Sequence, residues 1–319
     1  MVRAIAASVL VSSLLMQAAA AEDKYPNRPI RFIVAFAPGG ITDIIARLFG
    51  EQLSDRLGQT VVIDNKGGAA GALAAKLVAT AKPDGYTFLV TTTAVTVNAA
   101  ASPTSVDPRT QLVPVAMAAS SPTIISARAP TKAKTLTELV SDRKQGTITY
   151  ASSGAGTVEH LTAAYLLKGI SGIEAVHVPY RSGGEAVNAV IGNHVDLSAT
   201  PIGSAISLVR EGQLQILGVA SHKRIPMLAD IPTFAETGLS DMESASWVAV
   251  FGPSGLPAPV TERINAEVNN VARRPELRER LLELGFGLHE LSQQAFAAQV
   301  EAEVTRWTRI LAETGIVLN

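Results

Sequence analysis

Cysteine is absent from this chain of 319 residues. Its absence excludes disulfide bonds, thiolate nucleophiles, cysteine metal sites and lipid attachment at an N-terminal cysteine. The hydrophobic core must therefore hold the fold, and hydrophobic residues make up 47% of the chain. A chain of this length can bury the cores of two lobes of ordinary size.

Aromatic residues and an excess of either charge are also missing. Aromatic residues account for 5% of the chain, too few for platforms that stack on nucleic-acid bases. The 27 basic and 28 acidic side chains nearly cancel, so we expect neither nucleic acid nor a charged membrane surface as a partner. The five histidines stand singly and form no His-Glu-x-x-His pair. We therefore expect no metal. The sequence lacks a Gly-x-x-x-x-Gly-Lys motif, and the segment over residues 66–71 misses the dinucleotide-binding fingerprint at its first glycine, so we also expect no cofactor.

A long hydrophobic run is missing as well, and the chain begins with a short one. Arg3 precedes an apolar stretch over residues 4–16, and small residues over 18–21 follow. This order predicts a secretory signal peptide over residues 1–21 and a periplasmic mature protein. A membrane anchor is the alternative, but the stretch is shorter than the roughly 18–20 apolar residues that a membrane span needs.

The most informative segment that is present joins a predicted strand to a predicted helix. Residues 30–36 form a run that is apolar except for Arg31, Pro38-Gly39-Gly40 ends it, and apolar residues at helical spacing follow through Leu57. The first N–H groups of such a helix have no partner within it, and the glycines let a ligand approach the main chain. We call this turn, with the helix start that follows it, the first mouth, and we predict that an anion binds there.

A second turn of the same kind comes later in the chain. A predicted strand over residues 147–151 leads into Ser152-Ser153-Gly154-Ala155-Gly156-Thr157, and a helix is expected over residues 158–168. Two such mouths, one in each half of the chain, predict a ligand that is held between two lobes.

Strands and helices alternate with short connections, which is typical of an α/β fold with a mostly parallel sheet flanked by helices. We expect residues 22–121 and 220–319 to form a discontinuous first lobe and residues 122–219 to form the second. The first crossing is expected as two extended pieces separated by Ser120-Ser121-Pro122. A helix is expected over residues 69–81, and another over 259–284 with a break near Arg274-Pro275.

Seven short segments occur in an order that is typical of one protein family. They are YPNRPI at 25–30, PGGITD at 38–43, PDGYT at 83–87, SGAGT at 153–157 with His160-Leu161, VPYR at 178–181, VDL at 195–197 and IPTFAETG at 231–238. In this order they resemble the Bug family of periplasmic solute-binding proteins, the TctC-type receptors of tripartite tricarboxylate transporters. The resemblance covers essentially the whole mature chain.

The resemblance implies a two-lobed periplasmic-binding-protein fold of type II, in which two crossing segments form the hinge. It also implies a receptor without catalytic activity, which captures a small organic acid or amino acid and delivers it to the membrane permease subunits of the transporter. We expect this receptor to be a monomer.

Carried over residue by residue, the resemblance places the ligand at the two glycine loops and at neighbouring strand ends. The ligand-binding candidates are Phe36, Pro38, Gly39, Gly40, Ile41, Thr42, Asp43, Thr91, Thr92, Ser152, Ser153, Gly154, Ala155, Gly156, Thr157, Tyr180 and Asp196. Asp43 is expected to order its loop, because a carboxylate there would repel the ligand's own. Asp196 is expected to brace a loop, and Tyr180 fits a core position as well as a ligand contact.

The ligand's identity and two alternative functions stay open at this point. Ile41 stands where a small or hydroxylic residue is frequent in the family, so the mouth is less polar. The segment Ala151-Ser152-Ser153-Gly154 comes near the nucleophile elbow of a secreted α/β hydrolase for small esters, but the leading glycine of that motif is absent. A binding protein that serves a sensor kinase would carry the same two mouths.

Overall fold

The computed structural model describes residues 25–142, 147–239, 242–288 and 290–318. The predicted signal peptide at residues 1–21 lies outside the described residues. Among these, no helix has the length and the apolar character to cross a bilayer.

The strands and helices follow the expected alternating order. The strands are β1 (Ile30–Val34), β2 (Val61–Asn65), β3 (Thr87–Thr92), β4 (Leu112–Arg128), β5 (Ile148–Ser152), β6 (Ala175–Pro179), β7 (Leu197–Pro201), β8 (Leu214–Val219) and β9 (Ala245–Pro253). The helices are α1 (Ile41–Leu57), α2 (Ala72–Ala79), α3 (Ala94–Ala101), α4 (Leu136–Asp142), α5 (Val158–Ala164), α6 (Gly183–Ile191), α7 (Ile206–Arg210), α8 (Ala258–Ala272), α9 (Pro275–Glu283) and α10 (Gln293–Thr314). Helix α5 runs on without interruption as a π-helical turn over Tyr165–Ile170.

The sheet consists of two halves that share one long strand. Its order is β2-β1-β3-β9-β4-β7-β5-β6, and β8 pairs with β4. The pairs among β1, β2 and β3 and among β5, β6 and β7 are parallel, whereas β4 and β9 pair antiparallel with their neighbours. This arrangement is the predicted α/β architecture.

The expected interruption at Ser120-Ser121-Pro122 is wrong. Strand β4 is continuous over 17 residues, because β9 pairs with it as far as Pro122 and β7 and β8 pair with it from Thr123 or Ile124 onward. Partners along its whole length override the turn preference of serine and proline. Strand β4 is thus the first crossing between the lobes.

The second crossing lies later than the expected boundary at residue 220. The chain rejoins the first half of the sheet at Ala245, where β9 pairs with Pro122 of β4. Before that point, Phe234, Leu239 and Met242 are buried in the same core cluster as the second-lobe strands. These apolar side chains keep the segment on the second lobe.

The last helix contributes to the cores of both lobes. Phe296 and Val300 near its start belong to a cluster with β1, β3 and β9, whereas Trp307 and Ile310 belong to the second-lobe cluster. The break expected at Arg274-Pro275 separates α8 from α9. Proline has no N–H to continue a helix, which explains the break.

Candidate ligand-binding cleft

The two glycine loops lie at sheet edges that face the junction between the lobes. In the first lobe, Thr92 at the carboxyl end of β3 and Ala119 of β4 both pair with Val248 of β9. The end of β3 therefore lies at the same height in the sheet as Ala119. In the second lobe, Pro201 at the carboxyl end of β7 is opposite Thr123 of β4, and β5 is parallel to β7. Because β4 runs from one lobe into the other at Thr123, the loops after β1 and β5 meet the same junction from opposite sides.

The first loop, residues 35–40, presents unpaired main-chain amides at the start of α1. The N–H group of Gly39 donates to Asp43 Oδ2 at 2.9 Å, so this amide is already used. For the N–H groups of Ile41, Thr42 and Asp43, the described residues provide no acceptor. These three amides lie at the positive end of a 17-residue helix.

Asp43 organises this loop from within. Its Oδ1 accepts a hydrogen bond from Asn65 Nδ2 at 3.0 Å and pairs with Arg47 at 2.9 Å. The same Asn65 amide donates to the Phe36 carbonyl oxygen at 3.0 Å. Burial alone would raise the pKa of Asp43, but the hydrogen bonds from Arg47, Gly39 and Asn65 hold it below its usual value. The ionised carboxylate thus fixes the loop through neighbouring residues.

A further glycine loop at the same edge was missed by the sequence reasoning, which placed a helix from Ala69. Helix α2 begins at Ala72, because Gly71 before it takes a left-handed conformation with φ +89°. A Cβ on Gly71 would lie 3.2 Å from Ala35 Cβ and 3.6 Å from both the Phe36 ring and Thr91 Oγ1. The loop over 66–71 therefore packs directly behind the first mouth.

The second loop, residues 153–157, satisfies part of its own main chain. Ser152 Oγ and Thr157 Oγ1 donate to the Gly154 carbonyl oxygen at 3.0 and 2.9 Å. The N–H of Gly154 donates back to Ser152 Oγ at 3.3 Å. For the N–H groups of Ser153, Ala155 and Val158, no acceptor exists among the described residues. This mouth also keeps free donors at a helix start.

Two stacked imidazoles support the second loop. The rings of His160 on α5 and His177 on β6 lie 3.8 Å apart at 14°. His160 Nδ1 accepts from the N–H of Gly156 at 3.1 Å, and His177 Nε2 lies 2.8 Å from Ser152 Oγ. Burial lowers the pKa of both histidines to about 4. Both rings are therefore neutral at pH 7, and a neutral His160 can accept the bond from Gly156.

A carboxylate that the sequence reasoning did not select lies beside this loop. Glu159 is only 2% exposed. Ser246 Oγ of β9 donates to its Oε1 at 2.6 Å, and Ser153 Oγ is 3.5 Å from its Oε2. Burial raises the pKa of Glu159. In the sequence, an acidic residue in the first turn of a helix is explained by the helix dipole, so its burial against β9 leaves no local signal.

The structure brings most of the predicted residues to these edges. Thr91 and Thr92 end β3 on the side of the first loop. The N–H of Tyr180 donates to the Ser152 carbonyl oxygen at 3.0 Å, so Tyr180 adjoins the second loop. Residues 37–41 and Ala155 are exposed, and the backbone there is open to a ligand.

Asp196 was expected among the ligand-binding candidates, but it does not lie beside either glycine loop. It precedes β7 at the amino end of the strand, where its Oδ2 accepts from Thr149 N and Oγ1 at 2.9 and 2.8 Å. Thr149 lies near the start of β5, whereas the second loop follows the end of that strand. Asp196 lines a separate hollow of about 710 Å³ together with Arg128 and His194. The direction of the strands therefore places Asp196 at the end of the sheet opposite the second loop.

The arrangement suits an oxyanion without requiring a cationic side chain. Free amides at two helix starts, with hydroxyls from Ser153 and Thr92 nearby, supply hydrogen-bond donors and favourable dipoles. Within the described residues no group of histidine and acidic side chains forms a metal site. The unpaired amides at the two helix starts can hold a carboxylate by main-chain contacts.

Comparison with known proteins gives a consistent result. The family model described as tripartite tricarboxylate transporter family receptor matches residues 45–316. Among curated proteins, a UPF0065 protein from the tcbD-tcbE intergenic region of Pseudomonas sp. strain P51 is 34% identical over 93% of this chain and 89% of its own length.

Solved structures agree with this match. A Rhodopseudomonas palustris protein with adipate is 32% identical, covers 92% of this chain and 99% of its own, and has a TM-score of 0.76. The protein MatC from Rhodopseudomonas palustris with bound malate is 31% identical, covers 90% and 100% respectively, and has a TM-score of 0.74. The two ligands are both dicarboxylates.

Proposed function

Because this chain belongs to the tripartite tricarboxylate transporter receptor family, we propose that its lobes close over a small carboxylate-bearing metabolite. The observation that carries the proposal is the placement of unpaired amides from Ile41–Asp43 and from Ala155 at edges that face one junction. The adipate and malate bound by two relatives support the same ligand class.

The bound form would then be delivered to membrane permease subunits. Closure of two lobes creates a surface that exists only when ligand is present, which is how a permease can distinguish loaded from empty receptor. The family is periplasmic, which supports the same compartment for this chain. Loss of uptake of the identified ligand in a strain without this receptor, with normal signalling, would separate transport from service to a sensor kinase.

Binding without chemistry fits the second loop better than ester hydrolysis does. Ser152 and His177 are within hydrogen-bond distance, as a nucleophile and its base would be. However, Ser152 is fully buried and its hydroxyl also bonds Gly154. A substrate carbonyl cannot reach this oxygen, so the pair supports the loop instead.

The proposal is tested by calorimetry of the purified protein with C4 to C6 mono- and dicarboxylates and their amino derivatives, together with Gly40→Val. Gly40 has an extended backbone, and a Cβ there would meet only the Ala37 carbonyl oxygen at 3.5 Å. We expect an unchanged unfolding midpoint and at least tenfold weaker binding, because the added bulk stands before the amides of α1. Unchanged affinity in this variant, or turnover of esters with no carboxylate bound, would contradict the proposal.

A further inference from the structure

Glu159 is a buried carboxylate that lacks a cation. The groups that stabilise its charged form are the hydroxyls of Ser246, Thr157 and Ser153 and its own main-chain N–H, and no cation is among these described partners. A carboxylate removed from water without a positive partner is costly. Both covering serines are partly exposed, so the carboxylate lies one layer below the cleft surface.

A buried hydroxyl without a partner lies on the sheet face against which Glu159 packs. Ser121 of β4 is fully buried, and its Oγ has no hydrogen-bond partner among the described residues. Ser121 is directly opposite Ser246 in the antiparallel pair, so both side chains lie on one face of the sheet. Two residues along, Ser244 on that face bonds Thr162 of α5 at 2.7 Å. The face that carries Ser121 is therefore the face that Glu159 packs on.

We propose that the ligand carries an ammonium group as well as its carboxylate, and that Glu159 and Ser121 receive this ammonium at the floor of the cleft. This inference rests on the proposed function, since the loops still hold the ligand's carboxylate. An ammonium has three donors and no acceptor, which matches a carboxylate and an unpartnered hydroxyl oxygen. The small hydroxyls of Ser153 and Ser246 shift to admit it.

Among acids of the same chain length, the site thereby favours the one that carries an amino group. A 2-amino dicarboxylic acid places a positive charge on Glu159, whereas its hydroxy or unsubstituted counterpart leaves the buried carboxylate without a cation. Two relatives hold dicarboxylates without an amino group, so this selectivity would distinguish the present chain from them.

Matched ligand pairs test the inference with the unaltered protein. Aspartate, malate and succinate form one series, and glutamate and glutarate form another; each is titrated by calorimetry. We expect the amino member of the bound series to bind at least tenfold more tightly than the others. Equal or tighter binding of an acid without the amino group overturns the inference and leaves the proposed function standing. If no acid binds, the proposed function fails as well.

Glu159→Gln then identifies the group responsible, with Glu303→Gln as the matched control. Both carboxylates are buried, but Glu303 lies on the buried face of α10 and accepts a hydrogen bond from Trp247. We expect Glu159→Gln to remove the preference for the amino member, because the ligand's ammonium loses its carboxylate partner. Glu303→Gln should keep the preference. A preference that survives in Glu159→Gln, or an equal loss for every acid, would assign Glu159 a structural role and refute the inference.

Discussion

Glu303 shows at the scale of one residue how a buried charge is accommodated away from the cleft. Trp247 Nε1 donates to its two oxygens at 2.9 and 3.1 Å, Gln299 Nε2 donates at 2.9 Å and Thr96 Oγ1 at 3.2 Å. Burial raises the pKa of Glu303 despite these donors. The folded state therefore binds the carboxyl proton of Glu303 more tightly than the unfolded chain does.

This linkage predicts a pH dependence that Glu303→Gln removes. The contribution of Glu303 is fully present below its unfolded pKa, near 4.5, and is lost as pH rises through its raised folded pKa. We expect urea unfolding to show wild type losing stability relative to Glu303→Gln from pH 4.5 upward. Glu303→Leu should instead lose about 1–3 kcal/mol for each donor left unpaired. A wild-type to Gln difference that is constant with pH would contradict this account.

The burial of Glu303 could be predicted from the sequence, whereas that of Glu159 could not. Buried positions on α10 recur as Phe296, Val300, Glu303, Trp307 and Ile310, so a glutamate occupies the apolar stripe at helical spacing. Glu159 offers no such signal, because its burial depends on a serine 87 residues away. Position within one helix can be read locally, whereas a contact between lobes cannot.

At the scale of elements, the loop over 66–71 has an unusual backbone. Ala69 and Ala70 take φ values of +48° and +49° and Gly71 takes +89°. Left-handed conformations cost a residue with a Cβ about 1–2 kcal/mol, so two alanines hold strain beside the first mouth. The expected helix from residue 69 was wrong for this loop, because alanine favours helices and so concealed the left-handed backbone.

Opposite substitutions in this loop should have opposite effects. Ala70 is exposed, and Ala70→Gly should raise the free energy of unfolding by about 0.5–1 kcal/mol, because relieved strain exceeds the added chain entropy. Gly71→Ala should lower it by roughly 1–2 kcal/mol, because the new Cβ meets Ala35 at a left-handed position. Chemical denaturation measures both. Equal effects of one sign would show that the backbone conformation does not decide stability here.

At the scale of the whole molecule, the sequence predicts two lobes and their order but not what ties them together. Alternation of strands and helices is a local pattern, so both mouths could be located from it. The continuous β4 and the return at Ala245 depend on strand partners from distant segments. The same holds for α10, which reaches the second-lobe core through Trp307.

The segment after α10 extends this tie to the second mouth. Lys168 Nζ donates to the Thr314 carbonyl oxygen at 2.9 Å, which holds the end of α10 on the second lobe. Beyond it, Leu318 packs on the second loop, since a Cβ on Gly156 would lie 3.3 Å from Leu318 Cδ1. Val317 beside it is 79% exposed. Substitution of Leu318 therefore tests the contact, and substitution of the exposed Val317 is its control.

We expect Leu318→Ala to weaken binding of the carboxylate found by calorimetry about fivefold, with Val317→Ala unchanged. Removing the apolar contact, worth on the order of 1 kcal/mol, frees the loop that Gly156 anchors, and the freed loop must be ordered again when ligand binds. The loss should appear in affinity rather than in the unfolding midpoint, because a partly buried side chain contributes little to the core. Equal affinity in the two variants would mean that contacts other than Leu318 hold the second mouth, and that α10 joins the lobes without influencing the ligand.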